Sequence, residues 1–148
     1  MIGWRIGWVV APEALADDVA RAHIYNGLTA GGVAQAGAVA ALRAPAEDLG
    51  QAVAEWERRR NATLEQLQGL PAVRPAGGWS LLLDAEALGV SPPALSRALA
   101  VQKVAATPMT AWGEAVAPRY IRFVHATEPV ERLATFGERL RAALDRSA

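Results

Sequence analysis

Residues 119–126 read Arg119-Tyr120-Ile121-Arg122-Phe123-Val124-His125-Ala126. The stretch alternates in character and is rich in aromatic and β-branched residues, which predicts a β-strand. Successive side chains of a strand point to opposite faces. Tyr120, Arg122 and Val124 therefore share one face, and Ile121 and Phe123 pack on the other. Arg122 is a charge on a strand, opposite the core residues. Two uses of it stay open: a solvated face, the commoner outcome on spacing alone, or a ligand site.

Downstream of this strand, Pro129 starts a final amphipathic helix through Leu133, Phe136, Leu140 and Leu144. Upstream, residues Thr107 to Ala117 (TPMTAWGEAVA) form a loop. Proline and glycine set its turns, and Trp112 supplies a flat apolar wall. Such loops often lie over ligand sites, and a surface loop anchored by its tryptophan is the plainer alternative. Val101 to Ala106 is expected to be a strand. Ser91-Pro92-Pro93 caps a helix reaching about Ala100. Trp79 to Leu83 is a short strand, preceded by a turn-rich joint from Pro71 to Gly78.

Before that joint, Pro45-Ala46-Glu47-Asp48 opens the longest helix, which ends near Gly69. Leu49, Val53, Trp56, Leu64 and Leu67 fall near one face of it, and Arg58-Arg59-Arg60 with the glutamates fill the rest. Val33 to Leu42 is an alanine-rich helix. Another helix starts at Pro12-Glu13, runs to about Tyr25 and stops near Asn26-Gly27. Helices dominate the first half, and strands mixed with helices the second. The pattern predicts an α/β or α+β fold, with a boundary near residues 43–48 or 69–72.

The chain opens on Gly3 to Ala11 (GWRIGWVVA), which reads as a buried strand whose glycines allow close backbone approach. A domain seldom opens inside a core strand, so the chain is expected to be part of a longer one. Arg5 is out of place there, because arginine is almost never fully buried unless paired. Its planar fork suits a phosphate or carboxylate, and an edge-strand arginine facing water is an equal alternative.

Composition narrows the function classes. Hydrophobic residues make up 52% of the 148, and charged ones 20%, as a packed globular core requires. Lysine plus arginine equals aspartate plus glutamate, 15 against 15. No global field draws the chain to nucleic acid or anionic lipid. Glu55, Glu57 and Glu65 beside Arg58-Arg59-Arg60 point to a solvated helix face rather than a nucleic-acid patch. No cysteine is present, which excludes disulfides and cysteine-ligated zinc. His23 and His125 are far apart in sequence, and no metal site is expected. Ala14-Leu15-Ala16 resembles a secretion cleavage site, but Arg5 and Pro12 interrupt the apolar run before it. No stretch approaches the roughly 20 apolar residues of a membrane span. A cytoplasmic location is the expectation.

Read together, these blocks resemble the class I/II aminotransferases of pyridoxal-phosphate fold type I. Gly3-Trp4-Arg5-Ile6-Gly7-Trp8 followed by Val9-Val10-Ala11-Pro12-Glu13-Ala14-Leu15 is similar to the segment just after that family's cofactor lysine. Gln35 with the alanines to Leu42, and Glu55 to Asn61, resemble its next two helices. Pro75-Ala76-Gly77-Gly78-Trp79 resembles its proline–glycine–aromatic turn. The loop around Trp112-Gly113 and the strand Tyr120-Ile121-Arg122-Phe123 resemble its last blocks. The motifs cover nearly the whole chain in the family's order. Residues 128–133 also look like the branch acting on methionine, kynurenine or succinyl-diaminopimelate-like substrates.

The resemblance implies that Arg5 binds the phosphate of pyridoxal 5'-phosphate and that Arg122 binds the substrate α-carboxylate. Trp112, Gly113 and Gly78 would lie beside the substrate. It implies a homodimer that moves an amino group between an amino acid and a 2-oxo acid, with no nucleic acid or membrane partner. The fold implied is the end of a large cofactor-binding domain (residues 1–45), an interdomain helix (46–70) and a small mixed-sheet C-terminal domain (71–148).

The departures are equally specific. The family's chemistry needs a lysine that forms a Schiff base with the cofactor, a short stretch before the arginine that Arg5 matches. The only lysine here is Lys103, in the other half. It is expected to be a solvated strand-end residue. Ser80 stands where relatives often carry a larger residue. A non-catalytic truncated or remnant domain, folding or oligomerising without cofactor, is therefore the alternative expectation.

Overall fold

The computed structural model describes residues 2–45 and 47–147. The chain divides into two compact units, Met1–Glu47 and Asp48–Ala148.

In the first unit, a 3-10 turn at Ile2–Trp4 leads into two helices, α1 (Glu13–Gly27) and α2 (Gly32–Arg43). Pro12 and Glu13 start α1 as expected, since a proline with fixed φ and an acid suit a helix N-terminus. It ends at Gly27, where Leu28 takes a positive φ of 59° and donates to the Ile24 carbonyl. Gln35 Nε2 donates to the Ala30 carbonyl at 2.8 Å, tying the start of α2 to the loop before it. Pro45 favours extended backbone at the residue before it, and α2 stops at Arg43. Neither helix buries a single residue.

The strand expected over residues 3–11 does not form. Arg5 has a φ of +52°, which breaks an extended run, and residues 5–12 form no strand pairing among the described residues. A strand exists through its ladder, and every strand of the described sheet belongs to the second unit.

That unit holds α3 (Glu47–Gln66) from its second residue on and carries a four-stranded sheet in the order β1-β2-β4-β3. The strands are β1 (Ala72–Val73), β2 (Ser80–Asp84), β3 (Thr107–Pro108) and β4 (Tyr120–Val124). Every pairing is antiparallel, in register Leu81 with Phe123, Leu82 with Arg122 and Leu83 with Ile121. Helices α4 (Pro92–Val101), α5 (Val130–Leu133) and α6 (Phe136–Leu144) complete it. The fold is the expected combination of helices with a small sheet.

The alternation on β4 holds: Ile121 and Phe123 are buried, and Tyr120, Arg122 and Val124 are not. Leu81 and Leu83 of β2 join them over Leu95 and Leu99 of α4 and Phe136 and Leu140 of α6. Phe136 meets Phe123 edge to face at 4.9 Å. Each fully buried leucine stabilises by roughly 1.5–3 kcal/mol. Leu67 is buried and Leu64 packs on this core, whereas Leu49, Val53 and Trp56 of the same stripe are exposed. Ser91 Oγ accepts from the Ala94 N–H, so its expected cap is real.

Two expectations in this unit need correction. Residues 101–106 are not a strand: α4 continues through Val101, and the strand is Thr107–Pro108 alone. Lys103 takes a left-handed φ of +60°. Its N–H donates to the Ala100 carbonyl, and that of Val104 to Leu99, which is the Schellman way of closing a helix. That closure consumes the segment expected to pair. The final helix divides at Ala134–Thr135, where Thr135 Oγ1 donates to the Arg132 carbonyl and competes with the helical ladder.

Candidate functional site

Arg122 lies on β4 between its two neighbours in the sheet, opposite Leu82 of β2 and Thr107 of β3. Each neighbouring connection brings a tryptophan to it. Its Cζ is 5.0 Å from the Trp79 ring centroid and 4.8 Å from that of Trp112. A guanidinium over an indole face is attracted by the ring quadrupole, by about 0.5–2 kcal/mol per contact. Among the described residues Arg122 forms no ion pair, and its Nε is buried without a hydrogen-bond partner.

The backbone explains why the tryptophans arrive there. Gly78, at φ +88°, turns the chain into Trp79 immediately before β2. The Trp79 carbonyl accepts from the N–H groups of His125 at 3.2 Å and Ala126 at 3.4 Å. On the other side, Met109 N–H donates to the Tyr120 carbonyl, and Trp112 N–H to the Met109 carbonyl, both at 3.0 Å. Gly113 follows at φ +140°. The second unit thus sets Trp79 and Trp112 against Arg122, with Gly78 and Gly113 next to them in the chain.

Beside Arg122 is a cavity of about 400 Å³, lined also by Phe123, Phe136, Lys103 and Arg139. Its one acid, Glu128, is paired with Arg132 at 3.3 Å. Lys103 is an exposed helix-closing residue rather than a strand end. A cation without an acidic partner, beside a cavity with a cationic excess, can take an anion. Arg119, which ends the 3-10 turn Ala117–Arg119 just before β4, is already neutralised. It donates to Asp84 and holds that carboxyl below the usual carboxylate range.

Arg5, in the first unit, is exposed and in no ion pair among the described residues. A Cβ built on Gly3 or Gly7 would meet nothing within 4 Å. Arg58, Arg59 and Arg60, by contrast, are taken up by Glu55 and Glu57.

Trp79 is the functional candidate that sequence reasoning missed. The sequence places it at the start of a strand and in the proline–glycine–aromatic turn, directly after Gly77-Gly78, but not beside Arg122. His125 was also passed over. It is buried to 1% exposure, with neither ring nitrogen hydrogen-bonded. Burial, reinforced by the charge of Arg60, pushes its pKa below the usual imidazole value.

The family of aminotransferases class I and II matches residues 1–140. A putative aminotransferase of Bacillus subtilis, YugH, is 32% identical over 90% of this chain and 35% of its own length. Aromatic-amino-acid aminotransferase 2 of Thermococcus litoralis is 33% identical over 99% of this chain and 36% of its own. Among solved structures, the aromatic aminotransferase of Pyrococcus horikoshii superposes with a TM-score of 0.79 at 30% identity, covering 99% of this chain and 40% of that one. The α-aminoadipate aminotransferase of Thermus thermophilus shares the fold, at a TM-score of 0.84 and 23% identity, over 98% of this chain and 39% of that one. The chain spans little more than a third of the length of the curated relatives at 35% and 36%.

Proposed function

The chain belongs to the class I and II aminotransferases, and on that premise we propose that it is the part of such an enzyme that holds the anionic groups of cofactor and substrate. The family depends on pyridoxal 5'-phosphate, which when bound supplies the carbonyl carbon and the electron sink for amino-group transfer. In this reading Arg5 clamps the phosphate. Arg122 clamps the α-carboxylate of the amino acid and of the 2-oxo acid, and Trp112 with Gly113 and Gly78 walls that position. Residues 1–45 belong to the large domain, 46–70 to an interdomain helix and 71–148 to the small domain. The complete enzyme works as a homodimer in the cytoplasm.

One observation carries the reading: Arg122 is a strand arginine without an acid among the described residues, held against two indoles. Placing a charge there has a desolvation cost that the two indoles offset in part and an anionic ligand would offset further. Fixing the carboxylate orients the substrate's reacting carbon, which is how a positioned group lowers a barrier.

The single lysine, Lys103, favours a second reading for the 148 residues by themselves. Its place at the end of α4 is not that of a residue joined to the cofactor. The lysine that does so would come from outside this chain, and the chain alone would not transaminate. It would then be a non-catalytic domain that folds or oligomerises without cofactor.

The test joins this chain to a lysine-bearing upstream half of a related aminotransferase. Arg122→Gln should raise KM for amino and oxo acids on the order of a hundredfold. Arg5→Ala should weaken cofactor binding. Unchanged KM and unchanged cofactor affinity would overturn the assignment. Turnover by the 148 residues alone would overturn the second reading.

A further inference from the structure

We propose that Trp79 acts with Trp112 as a positioning residue for Arg122, holding the guanidinium so that its open edge faces a carboxylate. The inference rests on the reading of Arg122 as a carboxylate clamp and assigns the group that makes the clamp rigid.

An arginine side chain loses much conformational freedom when it is fixed. The usual way to fix one is an acid, as Asp84 of β2 fixes Arg119 just before β4. An acid would also neutralise the charge and occupy the donors that a substrate needs. Stacking on an indole fixes the plane of the guanidinium and leaves its in-plane N–H groups free.

The geometry around Arg122 has this character. Its Cζ lies 5.0 Å from one indole centroid and 4.8 Å from the other, and no acid pairs with it among the described residues. Nε is buried and unpartnered. The edge left for a ligand is therefore the pair of Nη groups, an end-on fork that matches the two oxygens of a carboxylate. Trp79 is the more enclosed wall, 39% exposed against 60% for Trp112. Its carbonyl is pinned by the N–H groups of His125 and Ala126, just beyond the strand that carries Arg122. Wall and cation are thus built on paired backbone.

The test uses the 148-residue chain, nuclear magnetic resonance of arginine Nε–H groups, and propionate, a carboxylate with almost no side chain of its own. The Arg122 signal, identified by its loss in Arg122→Gln, should be displaced by the ring currents of two indoles and should move as propionate is added. Trp79→Leu should return it toward the positions of exposed arginines and weaken propionate binding roughly tenfold. Trp79→Phe should recover most of both. Unchanged affinity and an unchanged Nε–H position in Trp79→Leu would overturn the inference while leaving the clamp intact. Equal behaviour of the parent chain and Arg122→Gln toward propionate would overturn the clamp itself, and this inference with it. If Trp79→Leu loses its fold, Trp79→Phe and Trp112→Leu decide, and parental affinity and Nε–H position in both count against the proposal.

Discussion

The backbone N–H of His125 donates to the Trp79 carbonyl over 3.2 Å, so a buried imidazole and the indole against Arg122 are tied to the same junction of β2 and β4. Changes in the core at His125 can therefore reach the candidate site through one hydrogen bond.

The first consequence is a pH dependence of folding. The folded chain holds His125 neutral, with its pKa pushed below the ordinary 6.5 by burial and by Arg60. As pH falls below 6.5, the unfolded chain takes up this proton first, so stability declines until pH passes the folded value. The slope contributed is at most about 1.4 kcal/mol per pH unit. Urea midpoints at pH 7.5 and 5.5 should differ in the parent chain, and His125→Gln should shrink that difference. An equal difference in both would remove His125 as the cause.

Gly137 allows α6 to lie against the end of α3. A Cβ there would come 2.9 Å from Gln66 Oε1 and 3.0 Å from the Gln66 carbonyl oxygen. Because one obstacle is backbone, the helices must separate slightly. Gly137→Ala should destabilise by about 1–3 kcal/mol, although alanine is the better helix former by about 1 kcal/mol. Chemical denaturation measures this directly, and a stabilised variant would contradict the close approach.

Lys103 closes α4 at φ +60°, a position that glycine adopts without strain. Lys103→Gly should therefore raise stability by up to about 1 kcal/mol, visible as a higher thermal midpoint. A clear loss of stability would mean that the lysine side chain does more than close a helix.

Apolar exposure in the first unit predicts association. Trp8, Val10, Tyr25, Leu28, Val33 and Leu42 are all exposed, and α1 and α2 bury nothing. Light scattering on the 148-residue chain at tens of micromolar should give a mass above 15.6 kDa. Replacing Leu28 and Leu42 by lysine should lower it, and a clean monomer in the parent chain would refute the prediction.

Local periodicity was enough to reveal β4, the core side chains Ile121 and Phe123, the cap at Ser91 and the two ends of α1. Each of these depends on neighbours a few residues away, through alternation, capping or proline chemistry. It also placed Arg122 off the core face, and motif order pointed to the family that the comparisons then showed. Which groups surround Arg122 was not legible. Its surroundings are set by Trp79 and Trp112, 43 and 10 residues away in the numbering, and only the β2-β4-β3 pairing brings them together. The same reason accounts for the errors. Residues 3–11 and 101–106 have strand-like composition, but a strand needs a partner with free backbone groups. The first found none, and the second was used up in closing α4. Sequence determined which segments could be helix, strand or ligand-facing charge, because those preferences are local. Tertiary structure decided which strands existed and which groups surround the strand arginine Arg122, because pairing and charge compensation belong to groups that meet only in the fold.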